Sequence, residues 1–513
     1  MTEVLFGQSY YLRFDPKLWQ AMQPYPPLGT LYAASYLRQR GYDVALYDAM
    51  LADSEARWDE ALARHQPRFA VMYEDNFNYL SKMCLLRMRQ AALTMIDSAR
   101  RCGCTVVVGG ADAADHADLY LSRGADFVLV GEGEETLGEL LDVLTERRRD
   151  PIEAIAGLAW DGRPVVRTTA ARPPLKNLDS LPFPAWDLVD MPRYRDAWRR
   201  RHGYFSLNMV TTRGCPYHCN WCAKPIWGQR YNVRSPANVV AELKLLKETY
   251  RPDHIWFMDD IMGLVPGWLT RFADLVEAEN ARLPFKSLNR ADLLLRDGAV
   301  DGLRRAGCRT VWIGAESGSQ AVLDAMEKGT RVEQIHAATE RLHAAGIDVG
   351  FFLQFGYPGE SWEDIRGTFR LVRDCMPEDI GVSVSYPLPG TKFYERVAHE
   401  LGQKRNWEDS DDLAMLYRGP YPTAFYRTLH TALHREFRLR RAWAGLRRAL
   451  MAPHTLRVSH LRATVAATAR AAILPLYWLR LRWLRAQPHA GVGALSAALS
   501  PTEAARPTPQ AEV

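Results

Sequence analysis

Three cysteines, Cys215, Cys219 and Cys222, stand in the short stretch RGCPYHCNWC at the spacing Cys-x3-Cys-x2-Cys. The other five cysteines are scattered along the chain, at positions 84, 102, 104, 308 and 375. A structural zinc ion takes four ligands, so three thiolates with only His218 between them are a poor zinc set. Three thiolates can instead hold three corners of a [4Fe-4S] cube and leave its fourth iron open. The spacing therefore predicts a cluster with one free coordination position, and three merely packed cysteines are the alternative.

Composition limits where such a centre could work. The chain has 513 residues, 47% of them hydrophobic, which predicts two to four domains with large cores. Its beginning, MTEVLFGQSY, lacks a charged segment followed by a long apolar run, so we expect no secretory signal. A cytoplasmic protein with reduced cysteines is expected. In that compartment a tight cysteine cluster indicates a metal site rather than a disulfide framework.

The first 150 residues alternate short apolar runs with helical patterns, as βαβ units do. The predicted strands are EVLFG, DVALY, RFAVMY, TVVVGG and DFVLVGEG. This pattern predicts a flavodoxin-like (Rossmann-type) α/β domain whose ligand crevice lies beyond the carboxyl ends of the strands. The loops at that edge are YPPLG, GGADAAD and GEGEE. Their glycines either admit a bulky ligand to the backbone or belong to ordinary βα turns.

Residues 151–204 are punctuated by prolines and predict a linker with one small hairpin in GLAWDGRPVVRT. From residue 205 to residue 420, six strand-like runs alternate with helical patterns, which predicts a partial (β/α)6 barrel of the TIM type. In such barrels the chemistry lies on loops at the carboxyl ends of the strands. The cysteine stretch follows the first of these strands, so we expect the cluster at the barrel mouth.

Five motifs then carry a resemblance to a known family. They are RGCPYHCNWC, FMDD at 257–260, GAESGS at 314–319, GFFLQFGYPGES at 350–361 and YPLPGT at 386–391. In this order they resemble the radical S-adenosylmethionine enzymes. With the N-terminal domain the whole chain resembles the cobalamin-dependent branch, which includes methyltransferases and the anaerobic magnesium-protoporphyrin ester cyclase.

The resemblance implies a mechanism in which cofactors carry the difficult chemistry. The amino nitrogen and carboxylate of S-adenosylmethionine chelate the open iron, and an electron from the reduced cluster breaks the bond between sulfur and the 5′ carbon. The product is a 5′-deoxyadenosyl radical. An external donor of the flavodoxin or ferredoxin type would supply the electron, and the protein would place the reactants and exclude water.

The resemblance also implies contacts for S-adenosylmethionine. Asp259 and Asp260, after the second barrel strand, should face its amino group, although an aspartate pair there could instead cap the next helix. Candidates for the ribose hydroxyls are Glu316 and Ser317. The candidates for the methionine or adenine portions, on or after the last two strands, are Gln354, Pro387 and Leu388.

Cobalamin is expected at the edge of the N-terminal domain. Many cobalamin proteins bind cobalt through an Asp-x-His-x-x-Gly loop, and none occurs between residues 3 and 150. His116 lacks the partner spacing and is expected in a helix. Radical enzymes of this branch commonly omit that histidine, so the resemblance implies cobalamin without a protein nitrogen on cobalt, or a domain that has lost the cofactor. The candidate contacts are Tyr25, Pro27, Leu28, Gly109, Gly110, Gly131 and Glu132.

The composition changes near residue 420. The segment from Thr423 to Ala486 holds 13 arginines, no lysine and one acid, Glu436. Arginine and large apolar residues alternate at helical spacing, which predicts a basic helical region over residues 421–487. Its apolar runs are too short to span a bilayer. Peripheral contact with the inner face of a membrane is expected, helices packed under the barrel are the alternative, and no nucleic acid partner is expected. Residues 488–513 predict a disordered tail.

Three functions follow from these features. The first is a cobalamin-dependent radical methyltransferase that acts on an unactivated carbon of a small or lipidic metabolite, such as a polycyclic terpenoid. The second is a radical cyclase or oxidase like the porphyrin ester cyclase, with no methyl transfer. The third is a non-catalytic cobalamin- or redox-responsive binding protein. The open cluster corner favours an enzyme, and the breadth of methyl transfer within the branch favours the first function.

Overall fold

The computed structural model of the chain describes residues 2–79, 85–224, 226–402 and 404–487. Two sheets organise it, one of seven strands in the N-terminal part and one of six strands in the barrel. Cys84 and the predicted disordered tail, residues 488–513, lie outside the described residues.

The N-terminal sheet has the flavodoxin order that the sequence predicts. Its parallel strands run in the order β2-β1-β3-β4-β5 and are β1 (Val4–Gly7), β2 (Val44–Leu46), β3 (Phe69–Tyr73), β4 (Thr105–Gly109) and β5 (Phe127–Leu129). All residues of β1 and β3 are buried, as expected for strands covered on both faces. The helices of this part are α1 (Pro16–Ala21), α2 (Leu28–Gln39), α3 (Ala56–His65), α4 (Leu86–Arg101), α5 (Ala111–Asp115), α6 (Ala117–Ser122) and α7 (Gly133–Leu144).

The hairpin predicted in the linker belongs to this sheet. Strands β6 (Leu158–Asp161) and β7 (Val166–Thr168) add to it, and β6 pairs antiparallel with β5. The N-terminal sheet therefore continues beyond the predicted boundary at residue 150.

The rest of the linker is more regular than its prolines predict. It forms α8 (Met191–His202), because Asp190 caps the helix and a proline occupies its first turn, where no amide donor is needed. The indole nitrogen of Trp198 donates to the carbonyl of Pro24 at 2.6 Å, and that of Trp186 donates to Glu242 at 3.1 Å. The linker thus ties the two domains together.

The second sheet is a curled, fully parallel half-barrel. Its order is β15-β14-β13-β12-β11-β8, with β8 (Ser206–Met209), β11 (His254–Phe257), β12 (Phe285–Asn289), β13 (Cys308–Glu316), β14 (Asp348–Phe355) and β15 (Asp379–Val384). A small hairpin, β9 (Thr212–Arg213) with β10 (Asn232–Val233), follows the first strand. The helices are α9 (Pro236–Thr249), α10 (Trp268–Ala278), α11 (Ala291–Leu294), α12 (Ala299–Ala306), α13 (Gln320–Ala325), α14 (Val332–Ala344), α15 (Trp362–Cys375) and α16 (Lys392–Val397).

Three helices end the described chain: α17 (Thr423–Met451), α18 (Val458–Ala471) and α19 (Leu474–Arg485). The described residues also form six short 3₁₀ turns, at Leu12–Phe14, Ile152–Ala154, Leu178–Ser180, Trp186–Leu188, Ala398–Glu400 and Pro453–Thr455. The first half of α17 packs on the barrel, where Glu436 pairs with Arg373 at 2.6 Å. In the part of the chain that the structure describes, no helix has the length and apolar character needed to cross a membrane.

Candidate active site

The cysteine stretch leaves the barrel through a turn that requires glycine. Gly214 has φ +81°, and a Cβ at that position would lie 2.5 Å from the carbonyl oxygen of Arg230. Just before it, Thr211 and Thr212 donate their backbone amides to the carboxylate of Asp259 at 2.6 and 2.9 Å. Asp259 is fully buried, and burial raises its pKa to about 6. Asp259 therefore holds the backbone that enters the cysteine loop, and it does not cap the following helix.

Arg213 joins the cysteine loop to the N-terminal domain. Its guanidinium pairs with Glu132 at 3.1 Å and with Glu134 at 2.7 Å, and all three side chains are buried. Burial opposes the charge on Arg213, but Glu134 and Glu132 outweigh it and raise its pKa. Glu132, a predicted cobalamin contact, thus accepts a hydrogen bond from Arg213 on one carboxylate oxygen and from the backbone amide of Leu175 on the other.

Asn220 fixes the middle of the loop from the opposite side. Its amide donates to the carbonyl of Ala325 at 2.8 Å, and its carbonyl accepts from the hydroxyl of Tyr357 at 2.9 Å. Its backbone bonds with Met326 and Phe393 at 3.0 Å each. With its entry and its middle held, the loop presents its cysteines in one rigid frame.

The three thiols meet the chemical requirements of a cluster ligand set. Cys219 is buried, Cys215 and Cys222 are partly buried, and none forms a disulfide. Burial raises the pKa of Cys222 to about 12, Lys224 opposes this, and Asp260 and the two other cysteines add to it. Bound iron would stabilise the thiolates that burial disfavours. Within the described residues, no group of three His, Cys, Asp or Glu side chains is arranged to hold a single metal ion.

Two of the predicted S-adenosylmethionine contacts lie where β13 ends. Glu316 has φ +57°, next to a register shift between β13 and β14, and its carboxylate accepts from the ammonium of Lys328 at 2.8 Å. Both side chains are buried; burial opposes the charge on Lys328, but Glu316 and then Cys219 outweigh it and raise the pKa of Lys328. Ser317 lies within 3.2 Å of the hydroxyl of Thr368. A glutamate at positive φ beside a buried lysine is a combination often found at binding sites, and the role of this turn stays a prediction.

The remaining predicted contacts line the same rim. The side-chain amide of Gln354 donates to the hydroxyl of Ser385 at 3.0 Å. Pro387 is buried, Leu388 is partly buried, and Asp260 is exposed beside the cysteines. The structure thus places all of these candidates at the carboxyl ends of the strands, and their contacts with a cofactor stay predictions.

The concave face of the half-barrel carries an aromatic wall. Trp312 stacks on Phe352 with ring centroids 4.7 Å apart, and Phe352 is 39% exposed. A Cβ on Gly350 would lie 2.5 Å from the Trp312 ring, so glycine makes room for it. Nearer the amino ends of the strands, the ammonium of Lys286 lies 3.9 Å from the ring centroid of Trp256, and burial lowers the pKa of Lys286 to about 8.

The predicted cobalamin contacts divide into two groups. Tyr25 is buried against the barrel, where its hydroxyl lies 3.1 Å from that of Ser206. Pro27 and Leu28 begin α2 and are buried. Among the predicted glycine contacts, Gly131 has free space beside its backbone. At φ +88°, a Cβ on Gly131 would meet only the carbonyl oxygen of Ile226, at 3.9 Å.

Gly109 ends β4 and Gly110 follows it. A Cβ on Gly110 would lie 2.8 Å from the Cβ of Glu74, so packing alone explains this glycine. His116 stands at the junction of α5 and α6, not inside a helix. The open backbone at Gly131 faces the segment that follows the cysteines, which suits a flat group bound between the domains.

Sequence reasoning missed several residues of this site. Arg213 was in view beside the cysteines, but its partners are about 80 residues away in the chain. Lys328 carried no signal, since a lone lysine in a loop is usually exposed. Tyr79 is 56% exposed and lies near Cys222 and Glu316.

Comparisons with known proteins agree with this geometry. The model of the radical SAM superfamily matches residues 209–372, and that of the B12 binding domain matches residues 20–141. Together the two matches span more than half of the chain.

The chain is 26% identical over 397 residues to an uncharacterised methyltransferase of Pyrococcus horikoshii, with 74% of this chain and 81% of the relative covered. It is 27% identical over 449 residues to hopanoid C-3 methylase of Methylococcus capsulatus, with 84% and 80% covered. Anaerobic magnesium-protoporphyrin IX monomethyl ester cyclases are also among its relatives.

Among solved structures, the fold resembles the radical S-adenosylmethionine methyltransferase TsrM from Kitasatospora setae with cobalamin and a [4Fe-4S] cluster bound. The TM-score is 0.64 at 20% identity, with 78% of each chain covered. The cofactors of such a two-domain chain are a [4Fe-4S] cluster, S-adenosylmethionine and cobalamin. The chain belongs to the cobalamin-binding radical S-adenosylmethionine enzymes.

Proposed function

We propose that this enzyme transfers a methyl group to an unactivated carbon of an apolar metabolite, small or lipidic. The observation that carries the proposal is the buried pairing of Arg213 with Glu132 and Glu134. This pairing fixes the ligand edge of the B12-binding domain against the loop that bears the cluster cysteines. A radical source and a methyl carrier would then serve one cavity. When bound, S-adenosylmethionine on the reduced cluster supplies a carbon radical that removes hydrogen, and cobalamin supplies the methyl group.

The chain's own residues would hold and orient these groups. Cys215, Cys219 and Cys222 would bind three irons of the cluster. Glu316, paired with Lys328, would accept hydrogen bonds from ribose hydroxyls. We further propose cofactor contacts for Asp260, Ser317, Gln354, Pro387 and Leu388 at the rim, and for Tyr25, Pro27, Leu28, Gly109, Gly110, Gly131 and Glu132 at the domain junction. Asp259 would position the backbone that enters the cysteine loop and would not itself contact the cofactor.

The concave face supports an apolar substrate. Trp312 and Phe352 offer adjacent rings, and Phe352 keeps 39% of its surface exposed although it lies inside the half-barrel. Such a wall would bind flat or polycyclic hydrocarbon and exclude water from the radical. Lys286 adds one cationic group for a polar substituent of the substrate. The relative named hopanoid C-3 methylase supports a lipidic substrate in particular.

Radical cyclisation or oxidation without methyl transfer is the second candidate, because ester cyclases are among the relatives. We prefer methyl transfer because the relatives aligned over 449 and 427 residues, hopanoid C-3 methylase and a cytidylyl-2-hydroxyethylphosphonate methyltransferase of Streptomyces wedmorensis, are named for it. The non-catalytic binding protein considered from the sequence is set aside by the family assignment. We also propose a cytoplasmic location and a small electron carrier of the flavodoxin or ferredoxin type as donor.

The test uses anaerobically reconstituted enzyme, a reductant, cobalamin and S-adenosylmethionine with a deuterated methyl group, incubated with lipid and polar extracts of the source cells. Methyl transfer predicts a product that carries the label, together with 5′-deoxyadenosine. Formation of 5′-deoxyadenosine without label transfer would select cyclisation or oxidation. The C215A/C219A/C222A variant should form neither, whereas C102A, which changes an exposed cysteine far from the loop in sequence, should match wild type.

A further inference from the structure

Exposed apolar side chains are concentrated on the last three helices. In the described chain outside this region, seven large apolar side chains are exposed and they are scattered: Trp19, Tyr79, Val165, Tyr204, Leu245, Val265 and Phe352. Eleven stand between positions 443 and 483: Trp443, Leu450, Met451, Leu456, Val458, Leu461, Val465, Ile473, Leu476, Leu479 and Trp483. These eleven residues are called the C-terminal apolar surface below.

The spacing of this surface follows the helices. On α18 its members are Val458, Leu461 and Val465, and on α19 they are Leu476, Leu479 and Trp483. Steps of three and four residues place each set in one stripe along its helix. On α19 the opposite face, with Leu481 and Leu484, is buried. The exposed stripes are therefore a second apolar face, beyond the one that the fold uses.

The buried face shows how these helices attach to the barrel. Trp478 of α19 lies against Phe369 and Trp362 of α15, with ring centroids 5.1 and 5.9 Å apart. On α17, Arg441 pairs with Glu378. The alternative from the sequence, helices packed on the barrel, is thus correct for one face and leaves the other without a partner in the described chain.

Arginines share the exposed side. No aspartate or glutamate occurs from residue 437 to residue 487. Nine arginines there are exposed and form no ion pair with the described residues: Arg438, Arg447, Arg448, Arg457, Arg462, Arg470, Arg480, Arg482 and Arg485. Arg447 stands one turn from Trp443, Arg462 one turn from Val458 and Arg480 one turn from Leu476. Cationic and apolar groups thus alternate along each stripe.

We propose that the C-terminal apolar surface binds the face of an anionic phospholipid bilayer. The arginines would contact headgroup phosphates, and the leucines, valines and tryptophans would enter the boundary between headgroups and acyl chains. The helices would lie on the membrane and not cross it. A nucleic acid would match the charge but leave the apolar stripes in water. A second copy of the chain would cover the stripes but bring two arginine arrays together. The proposal stands on these helices alone and is independent of the reaction.

The test is flotation of the full-length chain with phosphatidylcholine vesicles, with and without phosphatidylglycerol. Wild type should bind the anionic vesicles, and binding should weaken in about 1 M salt, where charges are screened beyond about 3 Å. The variant Arg447→Glu/Arg462→Glu should bind roughly tenfold or more weakly, since each basic residue near an anionic surface contributes about fivefold. Leu476→Gln/Leu479→Gln should bind roughly tenfold more weakly.

Matched controls carry the same changes elsewhere. Val165→Gln/Leu245→Gln and Arg64→Glu/Arg199→Glu alter exposed side chains outside the surface and should bind as wild type does. Iron content and elution volume confirm that each variant is folded. Three results would overturn the proposal: no vesicle binding by folded wild type, binding that both surface variants retain, or a dimer in solution that the leucine variant abolishes. Because vesicle binding and label transfer are measured separately, either proposal can fail alone.

Discussion

The arginines at the domain junction and those on the last three helices differ in burial and in pairing. Arg213 is buried, pairs with two glutamates and stands next to the turn into the cluster loop. Arg447 and Arg462 are exposed, with no ion pair in the described chain. A buried charge is tolerated only when its partners are fixed, so the first region is rigid by necessity. The second region keeps its charges and apolar groups available for a partner outside the chain.

The largest effect should come from removing the buried charge. Arg213→Met leaves Glu132 and Glu134 buried without a cation, which should lower the free energy of unfolding by about 3–5 kcal/mol. The cluster should also be lost more readily, because Arg213 precedes the glycine turn. Urea denaturation and iron content measure both effects. Arg447→Met is the matched control and should stay within about 0.5 kcal/mol of wild type. Equal losses in the two variants would remove the distinction between the regions.

A second buried cation sharpens the same comparison. Lys328→Met leaves Glu316 buried and unpaired, which should cost about 3 kcal/mol of stability and weaken binding of S-adenosylmethionine. Lys244, whose pair with Glu279 at 3.0 Å is exposed, serves as control, and Lys244→Met should leave the free energy of unfolding close to that of wild type. Isothermal titration of the reconstituted enzymes measures their affinity for S-adenosylmethionine. An affinity of Lys328→Met equal to that of wild type would contradict the assignment.

A buried carboxyl that has no cationic partner should make the free energy of unfolding depend on pH. Glu360 is fully buried, accepts from the amide of Gly356, and burial raises its pKa from 4.5 to about 8. The folded chain then keeps a proton that the unfolded chain releases, so the free energy of unfolding falls as pH rises from about 4.5 to about 8.

Glu360→Gln should remove this decline and stabilise the protein at pH 8 by a few kcal/mol. Urea midpoints across the pH range measure the effect. Glu363→Gln, at an exposed neighbour, is the control and should leave the slope as it is. An unchanged slope in Glu360→Gln would mean that the carboxyl is ionised in the folded protein.

The smallest effect on stability is expected at an exposed ring with a functional place. Phe352→Ala should change the free energy of unfolding by less than about 1 kcal/mol, because the side chain is 39% exposed. Product formation should fall by about tenfold or more, since the ring would contact substrate. Val165→Ala, at a side chain that is 71% exposed on a hairpin, should change neither. Wild-type turnover by Phe352→Ala would show that the substrate does not contact the ring of Phe352.

Local patterns predicted the elements of this chain well, and they predicted its long-range partners poorly. The alternation of strands and helices in the first domain, the half-barrel and the position of the cysteine loop follow from hydrophobic periodicity and from where parallel strands end. The hairpin at residues 158–168 was assigned to a linker, because nothing in its sequence says which edge it joins. Helix α8 was not predicted, because the prolines before it indicate irregular structure and outweigh the signal of its Asp190 cap.

The site was predictable where one residue type in one spacing suffices. Three cysteines in eight residues announce a cluster, whereas the partners of Arg213 and Glu316 are created by folding. Asp259 shows the limit most clearly: it was expected to face a cofactor, and it accepts hydrogen bonds from the backbone amides of Thr211 and Thr212. A carboxylate after a strand can do either, and only the position of the neighbouring strand decides.

Electron paramagnetic resonance of the anaerobically reduced enzyme tests the central claim most directly. We expect the signal of one [4Fe-4S] cluster, changed by S-adenosylmethionine and absent when Cys215, Cys219 and Cys222 are replaced by alanine. A cluster signal that survives those replacements, or that S-adenosylmethionine leaves unaltered, would contradict it.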